Sequence, residues 1–431
     1  MLGASMAFGA PARATPANPS DPAFPLQWNL RMIGAPAAWQ VATGAGSTIA
    51  IVDTGIDLHH EDLQNKIIGH VNCIGAGGDA TKCKDGGQDD NGHGTHVAGI
   101  AAAATDNQTG VAGTAPDASI LAVKVLDSTG SGSADDVAAG IRYAADHGAV
   151  AINLSLGNVT QSLLGTPFQD ALTYAFSKGA IPVIAAGNNF VLPSGSADNA
   201  IVVGALDNSG LKASYSNIGN SRWVIDAPGG EPDDTTDTCS SAPAGVLSTY
   251  FENGYACLAG TSMAAPHVTG AIALLRSATV GLSQQQAVDR LLATARTLPT
   301  TSLDGAGALD LAAAVGQPPT PAPSDPTTTS APSGSDVAGS EPASSSSALA
   351  PPGDLGSPSA PDGAASITLP TQRAAPPSGK VTTRTPAPKD DGLSSGVVGV
   401  AVVMAAGVSI ALGWLFIRGQ SWARRTPRLD R

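Results

Sequence analysis

Between residues 21 and 316, short apolar runs rich in Val and Ile alternate with amphipathic stretches. STIAIVD (47–53), ASILAVKVL (118–126), AVAINLSL (149–156), AIPVIAAG (180–187) and AIVVGAL (200–206) are nearly continuous apolar segments of strand length. A strand with one solvated face alternates apolar and polar residues, whereas unbroken runs suit strands covered on both faces. SADDVAAGIRYAADH (133–147) has helical period, with Ser133 and Asp136 at capping-box-like spacing and Gly148 as its stop. A second helix is expected over 168–178, ended by Gly179, and a third over 283–296. Strand–helix–strand repetition implies an α/β fold: a mostly parallel sheet with helices on both faces. In such sheets ligands bind beyond the carboxyl ends of the strands.

The pattern changes at residue 317. QPPTPAPSDPTTTSAPSGSD and the Ser- and Pro-rich runs after it carry almost no bulky apolar residues as far as 395. Such a segment buries too little surface to offset its backbone entropy, so 317–395 reads as a disordered linker. GVVGVAVVMAAGVSIALGWLFI (396–417) then runs without a charge and is long enough to cross a hydrocarbon core of ~30 Å as one helix. Trp414 and Phe416 lie near one end, followed by Arg418, Arg424, Arg425, Arg428 and Arg431 in the basic tail 418–431. The positive-inside bias puts that tail in the cytoplasm and everything before Gly396 outside, a single-pass protein of the cell membrane. An export signal is then needed. Residues 1–14 are small and apolar and end in Ala12-Arg13-Ala14, so 1–20 reads as a signal remnant, although a basic start is missing.

Composition narrows the function. The chain has 431 residues and a net charge of -13, without the basic stripe a nucleic-acid binder uses to displace counterions. A hydrophobic content of 42% excludes disorder throughout. Four Cys are too few for a disulfide-held mini-protein and permit three connectivities. Local pairing, Cys73 with Cys83 and Cys239 with Cys257, is the expectation, each bridge pinning an inserted loop. A zinc site is the rival, although no C-x-x-C pair is present.

Three motifs carry candidate chemistry. In IVDTGID a strand delivers Asp53 to its tip; in NGHGTHVAGI two glycines flank His93 ahead of a small-residue helix; in GTSMAAPHV Ser262 opens an apolar helix. Each alone has an ordinary reading, as a turn former, a packed histidine and a helix cap. Together, in the order Asp, His, Ser and with these flanks, they are specific. The chain resembles the subtilisin-like serine proteases, or subtilases, and their thermitase-like members most closely, over about residues 21–315. The likeness extends through GTAPDASILAVKVLDSTGSG, INLSLG and IPVIAAGN.

That resemblance implies a serine endopeptidase. Ser262 is the implied nucleophile, His93 (and not His96) the general base, Asp53 its orienting carboxylate, and Asn188 the side-chain donor to the oxyanion. Gly130, Ser131 and Gly132 on one side, with Ser155, Leu156 and Gly157 on the other, resemble the edges between which an extended peptide is bound by strand addition. No cofactor is implied for catalysis. Structural Ca²⁺ is implied at the loop 104–111, with carbonyls of Ala104, Thr109 and Val111, the Asn107 side chain, and Asp62 and Asp21. A second cluster, Asp85, Asp89 and Asp90, reads instead as solvated surface acid. A membrane anchor behind a Pro-rich linker resembles the mycosins, so a mainly structural subunit of a secretion complex is the alternative.

Overall fold

The computed structural model describes residues 18–156, 166–188, 197–219, 221–232, 239, 244–298 and 305–316. The chain divides into two units, Met1–Arg384 and Thr385–Arg431, and every described residue falls in the first. Residues 1–17 of the expected signal remnant, the whole linker 317–395, the apolar segment 396–417 and the basic tail 418–431 lie outside the described residues, and among the described residues no helix is long and apolar enough to cross a membrane.

Eight strands form one sheet: β1 (Thr48–Asp53), β2 (Ile67–Asn72), β3 (Lys84–Asp85), β4 (Ser119–Lys124), β5 (Ala151–Leu154), β6 (Ile181–Ala185), β7 (Ile201–Leu206) and β8 (Val224–Pro228), in the order β3-β2-β4-β1-β5-β6-β7-β8. All neighbours are parallel except the short β3, which runs antiparallel to β2 at the edge. The remaining strands, β9 (Val246–Tyr250) and β10 (Gly254–Leu258), make an antiparallel hairpin. The helices are α1 (Trp28–Met32), α2 (Ala35–Ala38), α3 (His93–Ala102), α4 (Ala134–Asp146), α5 (Thr166–Ser177), α6 (Thr261–Ala278), α7 (Gln284–Ala293) and α8 (Leu311–Ala314).

Period-two alternation divides the sheet residues between two cores. Ile49 and Ile51 of β1 face α3 and α6, whereas Ala50 and Val52 face α4 and α5. Ile120 and Ala122 of β4 join the first core, and Leu121 and Val123 the second. This two-sided burial is why the strands read as unbroken apolar runs. Every residue of α6 from Thr261 to Leu275 is buried, so it has no polar stripe and runs through the interior. Ser133 caps α4 by accepting from Asp136 N–H, as its spacing implied.

Both cysteine pairs are local. Cys73–Cys83 and Cys239–Cys257 are disulfides, and no described cysteine is free, which excludes the zinc alternative.

Candidate active site

The first member of the site is set by β1. Asp53 is its last residue and is fully buried. One carboxylate oxygen, Oδ1, accepts the Thr54 N–H at 2.8 Å and the His93 Nδ1–H at 2.8 Å. Because a carboxylate only accepts, the imidazole proton resides on Nδ1 and leaves Nε2 as the basic nitrogen. His93 Nε2 is buried and has no hydrogen-bond partner in the structure. Burial opposes the charged imidazole, but Asp53 and then Asp89 more than offset it, so the His93 pKa stands above its ordinary value of 6.5.

His93 is the first residue of α3, and a second carboxylate holds that helix start. Asp89 Oδ1 accepts from Thr54 Oγ1, Asn91 N–H and Gly92 N–H, and Oδ2 from the N–H and hydroxyl of Thr95. Thr54 Oγ1 in turn accepts the Gly94 N–H at 3.0 Å. One buried anion thus ties the residue after Asp53 to the turn that carries His93 and lies at the positive end of α3. The solvated reading of Asp89 is therefore corrected: its charge is stabilised by five donors instead of water. Lys124, at the end of β4, donates to the Thr54 and Leu126 carbonyls and to Asp90, tying the ends of β1 and β4 together.

Ser262 is fixed through a defect in its own helix. Residue 266 is Pro, so the Ser262 carbonyl has no N–H four residues on to accept. Ser155 Oγ donates to that carbonyl at 2.8 Å instead. Asn153 Nδ2 donates to Ser155 Oγ, and Thr269 Oγ1 donates to Asn153 Oδ1, so a buried polar chain runs from β5 into α6. The Ser262 hydroxyl is turned towards the Ser155 carbonyl, 3.4 Å away, rather than bonded to His93 Nε2. A bond of that length is weak, and one χ1 rotation frees it.

Asn188 follows β6. Its Oδ1 accepts both the N–H and the hydroxyl of Thr261 at 2.9 Å. A backbone N–H can only donate, so this pair fixes which end of the amide is oxygen and aims Nδ2 the other way. A Cβ added to Gly260 would lie 3.3 Å from Asn188 Nδ2 and 3.7 Å from Ser262 N. Two donors therefore flank one position, and the Ser262 N–H belongs to the first turn of α6, where it has no helical acceptor. A side chain at Gly260 would fill that position.

These groups share one rim. Asp53 ends β1, Ser155 follows β5 and Asn188 follows β6, and the three strands are neighbours, spaced ~4.8 Å apart. Helices α3 and α6 begin at this rim: Gly94 packs on Gly55 and Asp53, and Gly187 N–H donates to Thr261 Oγ1. Further along, Gly270 meets Ala101, each eight residues beyond Ser262 and His93, so the helices run side by side from a common level. His96, one turn on, donates from Nε2 to Ala256, and burial holds its pKa down to about 3. It staples α3 to the β9–β10 hairpin and has no free basic role. His267 is likewise held neutral, at about 4, between Asn29 and Met263.

Of the expected substrate edges, Gly130, Ser131 and Gly132 lie in the loop after β4, and Ser155 and Leu156 follow β5; Gly157 lies outside the described residues. The calcium-loop residues also meet. Asp62 accepts from Asn107 Nδ2 and Val111 N–H, Asp21 accepts from the Asp106 and Asn107 N–H groups, Ala104 N–H donates to the Asp62 carbonyl and Thr109 N–H to Asn107 Oδ1. Burial raises both carboxyls, Asp62 to about 7, with the charge of Asp21 adding to the rise at Asp62 and that of Asp106 to the rise at Asp21. Among the described residues no group of three His, Cys, Asp or Glu could hold a metal, so any cation here would draw on carbonyl and amide oxygens as well.

The sequence reading missed the roles of Asp89, Asn153, Thr261 and Thr269. One signal was available for the Ser155 hydroxyl: a Pro four residues after Ser262 leaves a carbonyl that some buried donor has to meet.

Several known proteins are similar to this chain. The subtilase family model matches residues 44–316. Thermitase from Thermoactinomyces vulgaris is 46% identical over 265 residues, which are 60% of this chain and 85% of that protein. Subtilisin DY from Bacillus licheniformis is 39% identical over 278 residues, 63% of this chain and 91% of that protein. Among solved structures, a protease from Pseudoalteromonas arctica PAMC 21717 aligns with a TM-score of 0.59 at 32% identity, covering 69% of this chain and 98% of that one. The chain therefore belongs to the subtilase family and is a subtilisin-like serine endopeptidase.

Proposed function

We propose that the chain is a membrane-anchored extracytoplasmic endopeptidase in which Ser262, His93, Asp53 and Asn188 carry out peptide hydrolysis. The observation that carries this assignment is the Asp53–His93 bond of 2.8 Å at the rim where Ser262 and the Asn188 amide also lie. Ser262 Oγ attacks the scissile carbonyl carbon as its proton passes to His93 Nε2. The carbonyl π pair moves to oxygen, and that oxyanion accepts hydrogen bonds from Asn188 Nδ2–H and Ser262 N–H. Asp53 holds the imidazolium through Nδ1 and keeps its own charge. His93 then protonates the leaving amine, the C–N bond breaks and an acyl-enzyme remains. Water repeats the sequence, with His93 taking its proton and returning it to Ser262.

An extended substrate segment would add as a strand between the 130–132 edge and the edge at Ser155 and Leu156. Such a site suits an unfolded or loop segment of protein. We also propose structural Ca²⁺ at Asp21, Asp62, Asn107 and the carbonyls of Ala104, Thr109 and Val111. The support is the chemistry of the donor set: two buried carboxylates beside a loop of carbonyl and amide oxygens suit a hard divalent cation. The cation would supply stability and no step of the reaction.

Membrane anchoring rests on the uncharged run 396–417 and its basic flank, and extracytoplasmic exposure on the positive-inside bias and the two disulfides. Intact cells expressing the full chain should cleave an added quenched-fluorescent peptide. The activity should stay in the membrane fraction after alkaline carbonate washing and vanish in Ser262→Ala. Activity that appears only after lysis, or washes off with carbonate, would overturn the anchored outward reading. A folded chain that hydrolyses nothing but co-purifies with a membrane complex would favour the secretion-subunit alternative.

A further inference from the structure

One five-residue loop is built twice in this fold, and only one copy lies beside the site. Asp127-Ser128-Thr129-Gly130-Ser131 follows β4, and Asp207-Asn208-Ser209-Gly210-Leu211 follows β7. In the first, Asp127 Oδ1 accepts from Thr129 N–H at 2.9 Å, Thr129 Oγ1 at 2.7 Å and Ser131 N–H at 3.0 Å. In the second, Asp207 Oδ1 accepts from Ser209 N–H at 2.9 Å, Ser209 Oγ at 2.7 Å and Leu211 N–H at 3.0 Å. Backbone bonds repeat as well: Asp127 N–H to the Ser131 carbonyl and Asp207 N–H to the Leu211 carbonyl, both 2.8 Å. Gly130 and Gly210 sit at φ +73° and +82°, a left-handed conformation that glycine adopts without strain.

We propose that Asp127 is a positioning residue for substrate: its carboxylate holds the 130–132 edge in the conformation that accepts the residues before the scissile bond. This rests on the strand-addition reading given above. Three features support it. The Asp127 bonds end on Ser131, inside the proposed edge. Asn91 Nδ2 donates to the Ser128 carbonyl at 3.0 Å while Asn91 Oδ1 accepts the His93 N–H at 3.2 Å, so the loop is referenced to the catalytic histidine. A Cβ on Gly132 would lie 2.4 Å from the Val125 carbonyl, so the edge packs tightly just beyond the strand end, while Asp127 holds the residue before it, Ser131. A strand laid on an edge that is already rigid loses less conformational freedom than one that has to order the edge on binding.

The duplicate loop supplies the control. Asp207 lies four strands across the sheet from Asp127, roughly 19 Å at the usual strand spacing. The test uses the full chain in detergent with p-nitroanilides carrying one to four residues before the scissile bond. Wild type should gain in kcat/KM as the substrate lengthens. Asp127→Ala should raise KM for the four-residue substrate by about tenfold and leave kcat/KM for the one-residue substrate within about twofold. Asp207→Ala, which removes the same three bonds elsewhere, should change neither, and Asp127→Asn, which keeps an acceptor oxygen, should recover most of the loss. Equal losses on long and short substrates, the same KM effect from Asp207→Ala, or no effect from Asp127→Ala would each overturn the proposal. A wild type whose kcat/KM does not rise with length would overturn the strand-addition reading itself, whereas a length gain that survives Asp127→Ala would overturn only the role of Asp127. Thermal midpoints of the two alanine variants should match, which separates a folding loss from a positioning loss.

Discussion

Ionisation at His93 sets the sign of the pH dependence. Burial lowers its pKa, but the charge and hydrogen bond of Asp53 together with the charge of Asp89 more than offset it and raise the pKa above 6.5. Catalysis needs the neutral imidazole, so kcat/KM should rise with pH through a limb lying above 6.5, measurable with a short ester substrate. Stability runs the other way. A group whose folded pKa is raised contributes fully below its unfolded pKa and loses that contribution as pH climbs through the folded value. Asp89→Asn should shift the activity limb to lower pH and reduce kcat, since it removes one of the two charges that raise the imidazole and weakens the anchor of its helix. An unshifted limb would show that Asp89 acts on packing alone. Asn188→Ala should lower kcat with little change in KM; in a subtilisin the loss of one such donor costs on the order of 10²–10³. Thr261→Val should reproduce part of that loss without touching the oxyanion, because it removes one of the two bonds that orient the amide.

At the scale of elements, the central helix depends on a strand it is not joined to. The Pro266 interruption leaves the Ser262 carbonyl to Ser155 Oγ, so Ser155→Ala buries an unpaired acceptor and should cost about 1–3 kcal/mol in a denaturant titration. Adding Pro266→Ala restores an N–H four residues on. The double variant should recover at least half the loss, and a purely additive pair would contradict the account. Much of this scale was legible in advance. The runs ending at Asp53, just past Ser155 and at Gly187 read as buried strands because both of their faces are covered. The 133–147 helix announced its own cap and stop. Strand β2, IIGHVN, did not stand out because Gly69 and the outward-facing His70 break its apolar run after two residues. The β9–β10 hairpin was hidden because its polar residues face a helix: Ser248 and Thr249 donate to the His96 and Thr95 carbonyls, so polarity there marks burial instead of solvent. Asp89 was misread for the same reason. Its donors are backbone groups and hydroxyls that become neighbours only after folding, and a charge surrounded by them looks in the sequence like any surface acid.

For the whole molecule, the fold brings residues far apart in the chain to one end of one parallel sheet and closes two loops with disulfides. Each bridge should contribute about 3 kcal/mol by restricting the unfolded chain, seen as a lower thermal midpoint in Cys73→Ser/Cys83→Ser. Ca²⁺ that binds only the folded state adds about 2.7 kcal/mol at a hundred times its dissociation constant, so chelation should lower the thermal midpoint while kcat measured below it stays unchanged. A chelator that changes kcat but not the midpoint would contradict a structural role. The central claim is that Ser262 is made nucleophilic by His93 at this rim. Its most direct measurement is stoichiometric labelling by a fluorophosphonate with mass-spectrometric mapping of the adduct. The account predicts close to one label per chain, carried by Ser262, lost in Ser262→Ala and slowed by orders of magnitude in His93→Ala. Labelling that persists in a folded Ser262→Ala, maps to another residue or ignores the loss of His93 would contradict it.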